Sequence, residues 1–421
     1  MKSILIKSLF VFLVSIQTYG QYDWETVVSF TPSQSIKDIY QVDESIAYAL
    51  SSLYNGSGLT VKKSTNAGVT WTELNTGVTA GIGYQKIGSP NNGGDIFIVG
   101  SLGTLLHSAD GGTTWNSITT SIGTTNLRDI YFLSNMIGYI AADSANILKT
   151  TDGGLTWVDI NPTMTGVSTI GRIYFKTELN GYIGGFNFFK ETFDGGFTWT
   201  DVPGHEPQTN ANIFQIQKIE FLDSNVGYFS GDRGLLYKTI DGGTTWVDKQ
   251  VTIPGFVVES LFDFEFMEGN PDIGFACGYH GLLIATDDGG DSWEFHTSDL
   301  PNTNGTNGSL FYTMSFYGDT GLMGAQGGKI LKFKSSIPTA INDHSLDDDV
   351  TIYPNPTNDY INILGEISKI DAIKIIDIHG KVIKMITQNV TSVNCQDLNP
   401  GTYFIKITSD LKSYNKIFLK K

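Results

Sequence analysis

Six ionisable side chains recur at one place in this chain. Asp38, Lys86, Asp129, Arg172, Lys218 and Asp263 each stand directly before an apolar residue that opens a similar segment, and Thr313 holds the seventh such place. Gathered into a ring, acids and bases so mixed would pair with one another, hydrate, or receive a charged ligand. Asp129 with Asp263 is also the pair that acid–base cleavage of a glycosidic bond would need, and the separation of the two carboxyl groups decides that chemistry. Other routes to catalysis lack their residues. There is no Gly-x-Ser-x-Gly elbow or phosphate-binding loop, and the six histidines lack metal-ligand spacing. Neither a cofactor nor a metal is expected.

A second polar set recurs farther along each segment. The pattern Ser/Thr-x-Asp-x-Gly-x-Thr/Ser-Trp appears with Asp110, Asp152, Asp194, Asp241 and Asp288, and once with Asn66 in the aspartate place. Calcium wants several oxygen ligands, which this spacing does not gather. The same residues suit a hairpin tip: the carboxylate accepts backbone N–H groups, glycine permits positive φ, and the hydroxyls close the turn. These six residues are read as structural.

What positions both sets is a repeat. All seven tryptophans (Trp24, Trp71, Trp115, Trp157, Trp199, Trp246 and Trp293) fall 42 to 47 residues apart. A period in the 40s marks a stack or ring of supersecondary units. Three apolar segments precede each box and one follows, so the unit is a four-stranded antiparallel propeller blade. Front halves start near Ile39, Ile87, Ile130, Ile173, Ile219, Phe264 and Met314, which makes seven. The last half lacks a box and a tryptophan, whereas Trp24 lacks a preceding box. The N-terminal strand is therefore expected to complete the last blade and leave no open edge. The expected class is all-β, a seven-bladed β-propeller over 21–337 closed by its N-terminal strand.

The boxes resemble the Asp-box, or BNR, repeat, and GYFSGDRGLLYKTIDGGTTW (227–246) is similar to repeats of the photosystem II assembly and stability factor family. The resemblance puts the boxes on the face away from the usual ligand site. The opposite face then carries the ionisable ring and turns offering Asp143, Asn187, Asp232, Arg233, Tyr279, His280 and Gln326. Long loops at 200–216, 247–262 and 294–311 add His205, Glu206 and Phe256. The ligand-binding candidates are Asp38, Lys86, Asp129, Arg172, Lys218, Arg233, Asp263 and His280. Sialidases share the box, but resemblance to them would require an arginine triad and an Arg-Ile-Pro segment. This chain offers Arg128, Arg172 and Arg233, and no Arg-Ile-Pro. Xyloglucanase-type hydrolases set paired carboxylates between two propellers, and here one is expected.

The last 72 residues resemble a different family. Tyr353-Pro354-Asn355-Pro356, Gly380, Leu398 with Gly401-x-Tyr403, and the basic end Lys420-Lys421 are similar to the type A sorting domain of the type IX secretion system. This implies a small Ig-like β-sandwich at 350–421, read as an address after a linker at 338–349. It also implies a Bacteroidetes-type source, handling by the type IX machinery and its surface sorting peptidase, and passage across the outer membrane. The other end fits export. Lys2 and Lys7 precede the apolar run Leu9–Val14, so a signal peptide is expected at 1–20. No later run approaches membrane-spanning length.

Charge narrows the partners. Acids outnumber bases 43 to 27, for a formal charge of −16. Nucleic acid needs a basic face, so it is not expected as a partner. The two cysteines, Cys277 and Cys395, fall in different expected domains and form no disulfide framework. The reading is a secreted or cell-surface module that binds a glycan, protein or envelope partner and leans away from catalysis. A secreted glycoside hydrolase or lyase with carboxylates at the channel mouth is the alternative, and a surface adhesin the second.

Overall fold

The computed structural model describes residues 22–30, 34–53, 60–77, 83–160, 162, 164, 166–205, 214–250, 258–296, 310–335, 350–365, 370, 372–377, 382–387, 390–409 and 412–421. The expected signal peptide at 1–20, the linker at 338–349, Glu206, Phe256 and Gly380 lie outside the described residues. The chain divides into two compact units, residues 1–337 and 338–421.

Among the described residues, the first unit holds seven four-stranded antiparallel sheets. We number them by their first strands: Gln34–Gln41, Tyr84–Gly88, Leu127–Phe132, Ile170–Phe175, Ile216–Phe221, Leu261–Met267 and Phe311–Tyr317. The second strands Gly138–Ala142, Gly181–Gly185 and Gly227–Gly231 are buried at every residue. A strand covered on both faces reads as a continuous apolar run, which explains why these segments do not alternate. The first strands touch one another in the order 1 to 7 and then 7 to 1, so the contacts close into a ring.

Sheet 7 is assembled from both ends of the unit. Its order is Tyr22–Ser29, Lys329–Ser335, Thr320–Ala325 and Phe311–Tyr317, with Trp24 opposite Phe333. The N-terminal strand thus supplies the outer strand that the last repeat lacks. Trp24 is 4% exposed and meets Phe275 of sheet 6 and Phe316 and Phe333 of sheet 7, with ring centroids 5.4–5.8 Å apart. Other tryptophans also sit between neighbours. Trp157 packs on Phe97 of sheet 2 and Phe132 of sheet 3, and Trp246 packs on Tyr182 of sheet 4 and Phe221 of sheet 5. Such edge-to-face aromatic contacts add to simple area burial.

Each box is the turn between third and fourth strands. In sheet 5, the buried Thr239 hydroxyl donates to Asp241 Oδ1 at 2.8 Å and accepts the Gly243 N–H at 2.9 Å. Asp241 also accepts the Thr245 N–H and hydroxyl at 2.9 and 2.6 Å. These donors hold the Asp241 carboxyl down to about 2, the Thr245 hydroxyl foremost. Asn66 does the same work in sheet 1 with its amide, accepting the Thr70 N–H at 2.8 Å. Gly243 has φ +95°, and a β-carbon there would lie 2.0 Å from the Tyr182 hydroxyl of sheet 4. Only glycine fits that close approach between sheets.

Among the described residues, the second unit contains two antiparallel sheets. One joins Val350–Tyr353, Tyr360–Gly365 and Ser392–Asn394, and the other orders Val382–Ile386, Ala372–Asp377, Gly401–Ser409 and Lys412–Lys420. Val350, Ile361 and Val393 from the first share a core with Ile373, Ile405 and Phe418 from the second.

Candidate functional site

The ionisable ring is built by a repeated backbone irregularity. Every first strand slips register just before the aligned residue, between Ile36/Asp38, Tyr84/Lys86, Leu127/Asp129, Ile170/Arg172, Ile216/Lys218, Leu261/Asp263 and Phe311/Thr313. A β-bulge adds one residue, bends the strand and re-aims the side chains around it. The bulges lie at the end of the sheets opposite the boxes, on the same end as the turns between second and third strands.

The ring aspartates tie neighbouring sheets together. Asp38 Oδ2 accepts the Ile87 N–H at 2.7 Å, Asp129 Oδ2 the Ile173 N–H at 3.0 Å, and Asp263 Oδ2 the Met314 N–H at 2.8 Å. In each case the donor belongs to the next sheet, one residue past its own ring position. The second oxygen is also engaged. Asp129 Oδ1 accepts the Ile130 N–H at 3.1 Å, Asp263 Oδ1 accepts the Phe264 N–H at 2.9 Å, and Asp38 Oδ1 meets Lys86 Nζ at 2.8 Å. All three aspartates are buried. Burial opposes the charge of Lys86, but Asp38, Asp263 and Asp129 outweigh it and raise the Lys86 pKa.

Lys218 is the hub of the far side. Its Nζ lies 2.9 Å from Asp263, 3.0 Å from Glu220 and 2.6 Å from Glu265, and it donates to the Phe264 carbonyl at 2.6 Å. Three carboxylates around one ammonium leave excess negative charge. Burial, reinforced by Glu220 and Asp263, pushes the Glu265 carboxyl up to about 8 against the pull of Lys218. Glu220 and Glu265 are two residues past ring positions, so they share their strand face. That period-two step was available in the sequence, but the alignment of single positions passed over them.

The arginines do not form a common site. Arg128 makes a two-pronged pair with Asp143 at 2.7 and 2.8 Å, and that guanidinium chiefly holds the Asp143 carboxyl below its usual range. Arg172 instead donates to the carbonyls of Gln217 and Gly171. Arg233 is exposed in the turn between second and third strands of sheet 5. His280 occupies the matching turn of sheet 6, its Nε2 3.5 Å from Glu259. Asp232 is held by Ser260 at 2.9 Å and Gln217 at 3.2 Å. His205 packs among Phe189, Phe229 and Tyr237.

Leu102, Asn187, Arg233 and His280 all keep a side chain at φ between +56° and +62° in these turns. Glycine would relieve that strain, as Gly327 and Gly328 do in sheet 7. The bulge residues were missed by the sequence reading. Lys37, Phe262 and Tyr312 precede ring positions by one, and the bulge brings them into one group. The Lys37 Nζ lies 3.5 Å from the centre of the Tyr312 ring, and Phe262 stacks on Tyr312 at 5.8 Å and 16°. The signal for this group was a pair of aromatics in one repeat register. Among the described residues, no three His, Cys, Asp or Glu side chains are grouped to hold a metal ion.

Residues 351–421 match the family described as a secretion system C-terminal sorting domain. No curated protein matches the chain in sequence. The fold has solved counterparts. YCF48 bound to a D1 peptide is 16% identical, aligning 75% of this chain with 97% of its own at a TM-score of 0.55. YCF48 from Cyanidioschyzon merolae is 18% identical over 74% of this chain and 98% of its own, also at 0.55. PorZ of Porphyromonas gingivalis, a surface component of the type-IX secretion system, is 14% identical over 90% of this chain and 58% of its own, at 0.51. At these identities the likeness carries the fold, a β-propeller.

Proposed function

With residues 351–421 a type IX secretion sorting domain, we propose that the chain is an exported β-propeller that binds a glycan, protein or envelope partner at the bulge end of its ring without turning it over. In this reading a signal peptide at 1–20 leads to the periplasm. Residues 21–337 form a seven-bladed propeller, supported by seven sheets in cyclic contact. A linker at 338–349 precedes an Ig-like tail at 350–421, which the type IX machinery carries across the outer membrane and a surface sorting peptidase reads.

One observation carries the preference for binding over chemistry. Both oxygens of Asp129 and of Asp263 accept backbone N–H groups and both residues are buried, so each carboxylate is committed to joining neighbouring sheets rather than facing a substrate. The exposed Arg233 and Tyr279 and the half-buried His280 at the same end are then the ligand-facing set, while Asp38, Lys86, Asp129, Arg172, Lys218 and Asp263 hold the mouth in shape. Peptide binding by YCF48 supports partner recognition on this fold by analogy alone.

A hydrolase or lyase reading draws on Glu265, because a carboxyl that keeps its proton near neutrality suits an acid catalyst. Its 2.6 Å contact with Lys218 favours a structural role in the cluster instead. A screen of glycans with product analysis separates the two, since turnover abolished by Glu265→Gln would replace the binding reading. Export has its own test. Deleting 350–421 is expected to leave the protein in the periplasm, and normal extracellular levels of the truncated chain would refute the assigned address.

A further inference from the structure

The bulge residues of three neighbouring sheets meet at one corner of the mouth. Lys37 comes from sheet 1, Tyr312 from sheet 7 and Phe262 from sheet 6. Tyr279, in the turn of sheet 6, extends the row, with its ring 6.1 Å from Phe262 and 37% of its surface exposed. His280 follows at 4.7 Å from Tyr279, and Glu259 lies beyond it. The corner is therefore a partly exposed aromatic row with one cation at its inner end and polar groups at its outer end.

Lys37 differs from the other cations at this end that are withdrawn from solvent, Arg233 being exposed. Lys86 has Asp38, Arg128 has Asp143, Lys218 has three carboxylates, and Arg172 donates to carbonyls. Among the described residues, no carboxylate lies within 4.0 Å of Lys37, and its recorded partner is the Tyr312 ring. Burial alone, with no opposing charge, lowers its pKa to about 8. A half-buried ammonium that lacks a counter-charge carries an uncompensated desolvation cost. An incoming anion would supply the missing charge, while a cation–π contact alone is a modest substitute.

We propose that this corner binds an acidic saccharide, with the carboxylate of a uronic acid residue on Lys37 and the C–H face of a sugar ring on Tyr279 and Phe262. A pyranose has an apolar face and a hydroxylated edge, which matches aromatic faces bordered by His280, Glu259 and Arg233. The inference rests on the bulge end being the binding surface and names the ligand class for it.

The test uses the full chain, with calorimetric titration of oligogalacturonate and oligomannuronate and of the same oligomers after methyl esterification. The acid forms are expected to bind at least about tenfold more tightly than the esters. Lys37→Met removes that difference, Lys37→Arg restores most of it, and Tyr279→Ala weakens acid and ester alike. Thr113→Ala, on the box face, changes neither. Thermal melting checks that each variant is folded.

Equal affinity for acid and ester overturns the inference, as does a preference that survives Lys37→Met. Failure of all four oligomers to bind also overturns it. A neutral glycan or a peptide that binds instead, and is displaced by Tyr279→Ala, overturns the acidic ligand while leaving the proposed function standing.

Discussion

Replacing Trp24 with alanine is expected to cost about 3–5 kcal/mol of folding stability, read as a lowered urea midpoint and melting temperature. The side chain is 4% exposed and fills the space between sheets 6 and 7 against three phenylalanine rings. Its strand is also the outer strand of the sheet that joins the two ends of the unit. A cavity here weakens packing and closure together, against a total stability of about 5–15 kcal/mol for a typical domain. Trp24→Phe should recover much of the loss, because among the described residues the indole N–H has no hydrogen-bond partner to forfeit. An unchanged midpoint in Trp24→Ala would show that closure does not depend on this strand.

The second large effect is expected at Lys218. Lys218→Met strands Asp263, Glu220 and Glu265 around an apolar side chain. Breaking one partner of a buried charge cluster costs about 3–5 kcal/mol. The cost depends on pH in a definite direction. In the native protein Glu265 takes its proton at about 8 rather than at 4.5. Between those values the folded state binds more protons than the unfolded state, so its contribution is fully present below 4.5 and fades as pH rises through 8. Without the ammonium the carboxyl groups hold protons still more tightly. Lys218→Met should therefore be most damaging at pH 8 and above, and milder near pH 5. A loss that grows toward acid pH would contradict the cluster as described.

Much of the fold was legible because the repeat is written in bulky, costly residues. The tryptophan register and the box hydroxyls mark every third-to-fourth-strand turn, and the orphaned Trp24 points to the pairing with Phe333. The register of the ionisable ring was equally plain, since each member precedes an apolar residue. Which members pair was not. Asp38 joins Lys86 and Asp263 joins Lys218 through distances between sheets that no local pattern records. Bulges are still less visible, because they arise from backbone geometry and no residue type marks them. The corner of Lys37, Tyr312 and Phe262 therefore lay one residue away from the positions that the alignment favoured.

The most direct measurement is ligand affinity at the two ends of the ring. Full-length protein is titrated with the best ligand from a glycan and peptide array, alongside two surface variants. One carries Arg233→Asn, Tyr279→Ala and His280→Asn at the bulge end, where asparagine tolerates the positive φ of residues 233 and 280. The other carries Leu155→Ser and Phe197→Ser at exposed box tips. The account predicts at least a roughly tenfold loss in the first variant, no change in the second, and ligand recovered intact. Binding lost in the box-tip variant and kept in the other, or ligand recovered cleaved, would contradict it.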